Sequence, residues 1–256
     1  MKVIQSVKNP QVKKWRKLAT RKERDKTGRY MMEGFHLVEE ALSYKNEIEE
    51  IIMEENIVLP AKWNMDGIPI TIVTAEVAKS LAETETTQGI FAVCKKRDSK
   101  NALEQGTTFL LIDRVQDPGN IGTMIRTADA AGIDAVVLGK GSADPYNPKV
   151  LRAAQGSHFH VDIVQSPLEE AISLIQKKGV PVYGTALQNA ENYRDIQPSK
   201  RFAVLVGNEG SGVSQELLSL TDHNVYVPIY GKSESLNVAV AAGILLYHFQ
   251  DSTKGV

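Results

Sequence analysis

The chain has little of several things, and each shortage excludes a class of protein. It carries one cysteine in 256 residues, Cys94, so no internal disulfide framework can hold it. Its five histidines (His36, His158, His160, His223 and His248) form no metal-ligand spacing with Cys94 or with one another, and no metal is expected. No apolar run is long enough to span a bilayer and no hydrophobic leader is visible, so a cytoplasmic protein is expected. The glycine-rich stretch GNEGSG at 207–212 lacks both the Lys-Ser/Thr pair of a phosphate loop and the spacing of a dinucleotide fingerprint. ATP use and nucleotide-dependent oxidoreduction are therefore unsupported.

Net charge is nearly absent at −1, but it is unevenly placed. Residues 1–30 hold eleven Lys or Arg against Glu23 and Asp25, so +9 at this end leaves −10 for the remainder. Lys13, Lys14, Arg16, Lys17, Arg21, Lys22, Arg24, Lys26 and Arg29 surround Trp15 and Leu18. That combination suits a surface that neutralises phosphates and stacks a base. A solvated, flexible basic tail is the competing reading.

With 42% hydrophobic residues, 256 residues can form one large domain or two modest ones. HLVEEALSY after Gly34 reads as a short amphipathic helix, and the runs around 49–58, 68–73 and 89–94 as strands, which makes a compact α/β module. The polar stretch KKRDSKNALEQG lacks periodicity, so a first domain is expected over 1–98, a linker over 99–106 and a second domain over 107–256. In the second domain, apolar runs at 108–112, 134–138, 160–164, 180–184, 202–206 and 224–228 alternate with helical patterns near 120–131, 147–154, 168–178, 213–219 and 236–249. Runs such as FAVLVG are apolar throughout, as strands buried on both faces must be. The alternation predicts an α/β fold with a mainly parallel sheet covered by helices on both faces. His158 and His160 alternate with Phe159 and are expected on the less buried face of a strand.

Three segments share one grammar, a β-type run breaking into glycine and polar residues: LLIDRVQDPGNIGTMIRTADAAG at 110–132, FAVLVGNEGSGVS at 202–214 and VPIYGKSESLNVAVAAG at 227–243. The last places Ser235 and Asn237 at the start of a helix of small apolar residues, where free backbone N–H groups suit a polar or anionic ligand. DPGNIG followed by Arg126, then GNEGSG, then SLN resembles the signature motifs of the SpoU/TrmH (SPOUT) family of RNA ribose 2′-O-methyltransferases. The likeness covers about the last three fifths of the chain. NPQVKKWRKLATRKERDKTGRYMMEGFHLVEEAL at 9–42 resembles the amino-terminal, ribosomal-protein-like substrate-binding module of the rRNA-modifying branch.

The resemblance implies S-adenosyl-L-methionine as methyl donor, structured RNA as substrate with rRNA favoured over tRNA, a deep trefoil knot in the carboxy-terminal part, and a homodimer built partly by the last helix. It also implies that Arg126 lies beside the target ribose, with Asn120, Glu209, Ser235 and Asn237 around it and Glu209 as its ion-pair partner or orienter. Thr185, Ala186, Leu187, Gly207, Val227, Ile229 and Leu236 are the implied cofactor pocket, the glycines admitting adenosine. Lys149 and Arg152 in PYNPKVLRAAQGSHFH would extend the RNA-facing surface, or simply be solvated. Plainer roles exist for each residue: Asn120 as a helix N-cap, Arg126 paired with Asp129, Ser235 as a cap. Two other functions fit the same fold, a non-catalytic RNA-binding or ribosome-assembly factor and a tRNA 2′-O-methyltransferase.

Overall fold

The computed structural model describes residues 2–44, 47–99, 101–197 and 199–251. It divides into two compact units, one built from the residues up to Asp98 together with Tyr146–Phe159, the other from Ser99–Pro145 and from His160 onward. Among the described residues no helix is long and apolar enough to cross a membrane.

The first unit centres on a five-stranded sheet in the order β1-β4-β3-β5-β2, comprising β1 (Lys2–Ile4), β2 (Arg29–Glu33), β3 (Ile48–Glu54), β4 (Ile70–Val73) and β5 (Ile90–Lys95). β1, β4 and β3 pair in parallel, while β5 lies antiparallel to both β3 and β2. Side chains alternate across a strand, and both faces are buried. Ile51, Ile90, Ala92 and Cys94 enter one core, and Ile52, Phe91 and Val93 the other. Helix α3 (Phe35–Leu42) contributes Leu37, Val38 and Ala41 to the first core. Helices α1 (Pro10–Lys17) and α4 (Ala75–Leu81) close the second with Val12, Trp15, Val77 and Leu81.

Here the sequence reading needs correction. The basic segment is not a tail: α1 is capped by Asn9, whose side chain accepts from Gln11 N, and α2 (Arg21–Thr27) is capped by Thr20. Trp15 is 2% exposed and donates through Nε1 to Glu50 (3.0 Å), so it is core and stacks no base. The segment 146–159, expected within the second domain, returns to the first unit. Its helix α7 (Pro148–Ala154) brings Leu151, and its flanks bring Tyr146 and Phe159, into the α3 core, where Tyr146 meets Tyr30 at 4.7 Å and Phe159 stacks on Tyr44 at 5.5 Å. Those partners lie more than a hundred residues away, beyond the reach of local pattern. Residues 157–159 form a 3-10 turn rather than a strand, with His158 buried against Tyr146 and His160 exposed.

The second unit is a seven-stranded parallel sheet in the order β10-β12-β9-β11-β6-β7-β8. Its strands are β6 (Thr108–Ile112), β7 (Ala135–Leu138), β8 (Asp162–Gln165), β9 (Val182–Thr185), β10 (Glu191–Asn192), β11 (Phe202–Val206) and β12 (His223–Tyr226). Every pairing is parallel, and β6, β7 and β11 are buried along their whole length, which explains their unbroken apolar runs. One face packs on α8 (Leu168–Lys177) through Leu168, Ile172 and Ile175. The other carries α6 (Pro118–Ala130) and α10 (Val238–Asp251), with Phe249 against Tyr183 and Phe202. The expected linker is part of this unit: α5 (Ala102–Gln105) buries Ala102 and Leu103, and Lys178 Nζ bonds the carbonyls of Leu103 (2.9 Å) and Gly106. Lys100 lies outside the described residues.

Candidate active site

Parallel α/β sheets bind ligands along the carboxyl ends of their strands, at the point where strand order reverses. The reversal here lies between β6 and β11, since the order runs outward from β6 through β7 and β8, and from β11 through β9 and β12. The predicted residues leave this same edge: Asn120 and Arg126 after β6, Ala186 and Leu187 after β9, Gly207 and Glu209 after β11, and Val227 to Asn237 after β12.

Helix α6 begins at Asp117, not Asn120. Asp117 Oδ1 accepts from Asn120 N (2.8 Å), and Pro118 occupies the first helical turn. An Asp-Pro pair is the ordinary N-cap signature and was the available signal. Asn120 is thereby freed for long-range contacts. Its Nδ2 donates to Glu209 Oε1 (3.2 Å), and its Oδ1 accepts from Asn237 Nδ2 (2.9 Å). Asn237 in turn caps α10, its Oδ1 accepting from the backbone N–H of Ala239 (2.9 Å) and Val240 (3.3 Å). The chain has one sense. Because Asn237 Oδ1 is held by the helix, its amide nitrogen must face Asn120, and the Asn120 nitrogen must face the carboxylate.

Glu209 also accepts from the backbone N–H groups of Asp117 (3.1 Å) and Gln116 (3.4 Å) and from Asn208 Nδ2 (3.3 Å). Partial burial would raise its pKa, but the backbone N–H of Glu209 itself, Asn120 Nδ2 and the backbone N–H groups of Asp117 and Gln116 outweigh it and hold the carboxyl below its ordinary value. Glu209 is thus anchored to Asn120 rather than paired with Arg126. Arg126 is exposed on α6 and has no hydrogen-bond or ion-pair partner among the described residues. Its expected alternative partner, Asp129, bonds His160 Nδ1 instead (2.9 Å). Ser235 is also exposed and does not cap α10; its carbonyl accepts from Ser233 Oγ (2.8 Å). Of the five predicted residues, hydrogen bonds join Glu209, Asn120 and Asn237, while Arg126 and Ser235 stand outside that chain.

Sequence reasoning missed two elements behind the site. Asp113, buried at the end of β6, takes both Nε and Nη2 of Arg114 (2.9 and 3.0 Å) and accepts from Ser214 N (3.0 Å). Asn208 orders the loop between β11 and α9 (Gln215–Leu218), a role that the Asn-Glu-Gly turn composition could have suggested. The need for glycine at 207 is internal to this loop. A Cβ there would stand 2.0 Å from Val213 N and 2.1 Å from Gly212 C, so its bareness answers to the loop's own backbone before any adenosine.

Among the expected cofactor positions, Thr185 Oγ1 donates to Leu205 O (3.1 Å) and Ala186 N to Val225 O (3.1 Å), fixing where the chain leaves β9. Val227 and Ile229 are half-buried, whereas Leu187 and Leu236 are large apolar side chains left exposed at this polar edge. Exposed apolar side chains at such an edge fit an adenosyl ligand. Cys94 is buried in the first unit, where desolvation pushes its thiol pKa far up.

In the first unit Lys13, Lys14, Arg16, Lys17, Arg21 and Lys22 are exposed on α1 and α2. Arg24 is not part of that surface. It is 2% exposed, and its Nη1 donates to the carbonyls of Leu18 (2.7 Å) and Ala19 (2.8 Å) just past the end of α1. Arg29 is exposed but engaged by Glu49 at 2.5 Å. Lys149 is exposed on α7, which belongs to the same unit.

The SpoU rRNA methylase family matches residues 107–247, and the MRM3-like substrate binding domain matches residues 9–92. The 23S rRNA (guanosine(2553)-2′-O)-methyltransferase RlmP of Bacillus subtilis (strain 168) is 52% identical over 250 residues, spanning 98% of this chain and 100% of that protein. The AdoMet-bound rRNA methyltransferase from Sinorhizobium meliloti is 32% identical, with a TM-score of 0.87 over 98% of this chain and 97% of its own. The SpoU methyltransferase AviRb from Streptomyces viridochromogenes, in complex with AdoMet, is 25% identical, with a TM-score of 0.83 over 95% and 98%. A family match over more than half the chain, joined to a relative of this identity along its whole length, means that the chain belongs to the SpoU rRNA methylase family.

Proposed function

We propose that the protein transfers a methyl group from S-adenosyl-L-methionine to a ribose 2′-hydroxyl of ribosomal RNA. The observation that carries this is the Glu209–Asn120–Asn237 hydrogen-bond chain, which ties the three motif loops to one edge of the sheet and leaves the Arg126 guanidinium uncommitted beside them in sequence. The donor, when bound, supplies a methyl on an activated sulfonium leaving group, so the protein's work is positioning and electrostatic stabilisation. Thr185, Ala186, Leu187, Gly207, Val227, Ile229 and Leu236 would hold it.

A guanidinium is a poor general base, and Arg126 is not assigned that role. Its role in this reading is to bind a phosphate of the target nucleotide and stabilise negative charge on the 2′-oxygen as its proton leaves. Ser235, exposed just before α10, would hydrogen-bond the ribose, and the Glu209–Asn120–Asn237 chain would keep α6 and α10 in register beneath it. The 52% identity to an enzyme of 23S rRNA, with full coverage, supports the large-subunit guanosine named for that relative as the target. The exposed basic residues of α1 and α2, namely Lys13, Lys14, Arg16, Lys17, Arg21 and Lys22, would bind its backbone.

A homodimer is part of the proposal. Val240 (52% exposed), Ile244 and Tyr247 (49% exposed) recur at i, i+4 and i+7 on α10, an apolar stripe on an outward face. The carboxy-terminal trefoil knot and a cytoplasmic location belong to the same reading. The test is transfer of labelled methyl to rRNA and tRNA from cells lacking the protein, followed by nucleoside mass spectrometry. One 2′-O-methylguanosine in 23S rRNA is the expected result, lost in Arg126→Ala. Transfer to tRNA alone, to a base, or to neither RNA would overturn it.

A further inference from the structure

Asn208 does two separable jobs with its two side-chain atoms. The oxygen accepts from Gly210 N (3.0 Å), Ser211 N (3.1 Å) and Ser211 Oγ (3.3 Å), closing the turn, while the backbone exchanges two hydrogen bonds with Gly212 (3.1 and 2.9 Å). A turn of this kind needs nothing more. The nitrogen instead donates to the carbonyl of Arg114 (2.9 Å), 94 residues earlier, and to Glu209 Oε2 (3.3 Å). The orientation of the amide is settled by its surroundings, since two backbone N–H groups on one side require the oxygen there.

The receiving carbonyl belongs to an unusual residue. Arg114 has φ of 54°, a left-handed conformation that residues other than glycine seldom adopt and that persists only where the surroundings over-determine it. It is held on both sides: Asp113 takes its guanidinium through two bonds, and Asn208 takes its carbonyl. Asp113 also accepts from Ser214 N, so the exit turn of β6 clamps the 207–214 loop at its start and at its end.

We propose that Asn208 is a positioning residue. By bridging the Arg114 carbonyl and the Glu209 carboxylate, its Nδ2 fixes Glu209 in the rotamer that meets Asn120, and so sets the register between the second motif and α6. The inference rests on the proposed part of Glu209 in methyl transfer.

Asn208→Asp tests it, because it keeps the shape and the turn-forming oxygen while replacing the donor with an acceptor. Loss of a donor to a charged group predicts a fall of about ten- to a hundredfold in single-turnover methyl transfer. Affinity for S-adenosylmethionine, measured by calorimetry, should stay within about twofold, because neither altered contact, to the Arg114 carbonyl or to Glu209, involves a residue of the proposed donor pocket. The ratio of variant to wild-type rate should also rise as pH falls, since a proton taken up by one of the two adjacent carboxyls removes their repulsion and restores a donor between them. A merely structural role would lower the rate equally at every pH and weaken donor binding in parallel; that result, or an unchanged rate, overturns the proposal. Should the aspartate variant not fold, Asn208→Ser is judged by the same rate and affinity criteria. Glu209→Gln separates the premises: if it transfers methyl at the wild-type rate, the role of Glu209 fails and this proposal with it. If it is impaired while Asn208→Asp is not, only the role of Asn208 is overturned.

Discussion

Replacing Asn120 by aspartate should invert the pH response of the enzyme. The substitution preserves shape and keeps an oxygen for Asn237 Nδ2, but it turns the donor facing Glu209 into an anion 3.2 Å from another carboxylate oxygen. Losing a donor to a charged group costs about 1.5–3 kcal/mol. Repulsion between unit charges at that separation is about 5 kcal/mol at an effective dielectric of ~20, and solvent around the exposed Glu209 reduces it to about 1–2 kcal/mol. The sum, about 2.5–5 kcal/mol, is a loss of about two to four orders of magnitude if it is felt in the transition state. Protonating one of the pair removes the repulsion and restores a donor, at about 1.4 kcal/mol for each pH unit above an ordinary carboxyl pKa of ~4.3. The signs are therefore opposite. In the wild type the depressed Glu209 pKa contributes stabilisation that is present above its unfolded value and lost as pH falls through the folded one. In Asn120→Asp, acidification favours the hydrogen-bonded form, so the ratio of variant to wild-type rate should rise as pH drops from about 8 to about 5.5, toward the carboxylate range. Single-turnover transfer of labelled methyl to 23S rRNA fragments measures that ratio. A flat ratio, or a variant within about twofold of wild type at about pH 8, well above any ordinary carboxyl pKa, would refute the reasoning.

Arg24→Met should lower unfolding free energy by about 2–4 kcal/mol, because it orphans two carbonyls that the buried guanidinium satisfies, while leaving the salt dependence of RNA binding unchanged. Denaturant melts and filter binding distinguish this from a phosphate contact, which would show the reverse. Exchanging Lys13, Lys14, Lys17 and Lys22 for glutamine should leave the fold intact and reduce the slope of log affinity against log salt by about 3, if each neutralises one phosphate. An unchanged slope would remove α1 and α2 from the RNA interface. Tyr247→Glu, at the carboxyl end of the exposed stripe of α10, should convert a dimer to monomers by light scattering with little change in melting temperature. A dimer that survives it is built elsewhere.

Much of the second unit was legible because its strands are buried on both faces. The runs predicted at 108–112 and 202–206 coincide with β6 and β11, since nothing polar interrupts them. Helix α1 was illegible for the opposite reason. Eight residues bury only Val12 and Trp15, and the surrounding lysines and arginines disguise a three-residue apolar spacing as a charge run. Arg24 was misassigned on the same ground, because charge patterning cannot show that one guanidinium turns inward to finish the helix before it. The return of Tyr146–Phe159 to the first unit depends on ring contacts with Tyr30 and Tyr44, which no local pattern encodes.

The site was half legible, and the division follows the range of its hydrogen bonds. Each motif was recognisable because a parallel strand must end before its loop can reach the sheet's carboxyl edge, and that change from apolar to polar is local. The pairings are not local: Asn120 meets Glu209 across 89 positions and Asn237 across 117. They exist because the order β12-β9-β11-β6 brings the third, second and first motifs to one edge. Within each motif, side chains then compete for the nearest donors, and the local winner is displaced from long-range duty. Asp117 caps α6, so Asn120 is free to bridge; Asn237 caps α10 with its oxygen, so only its nitrogen can reach across. Arg126, bound by neither constraint, is exposed with no partner among the described residues, which agrees with the phosphate-binding role proposed for it.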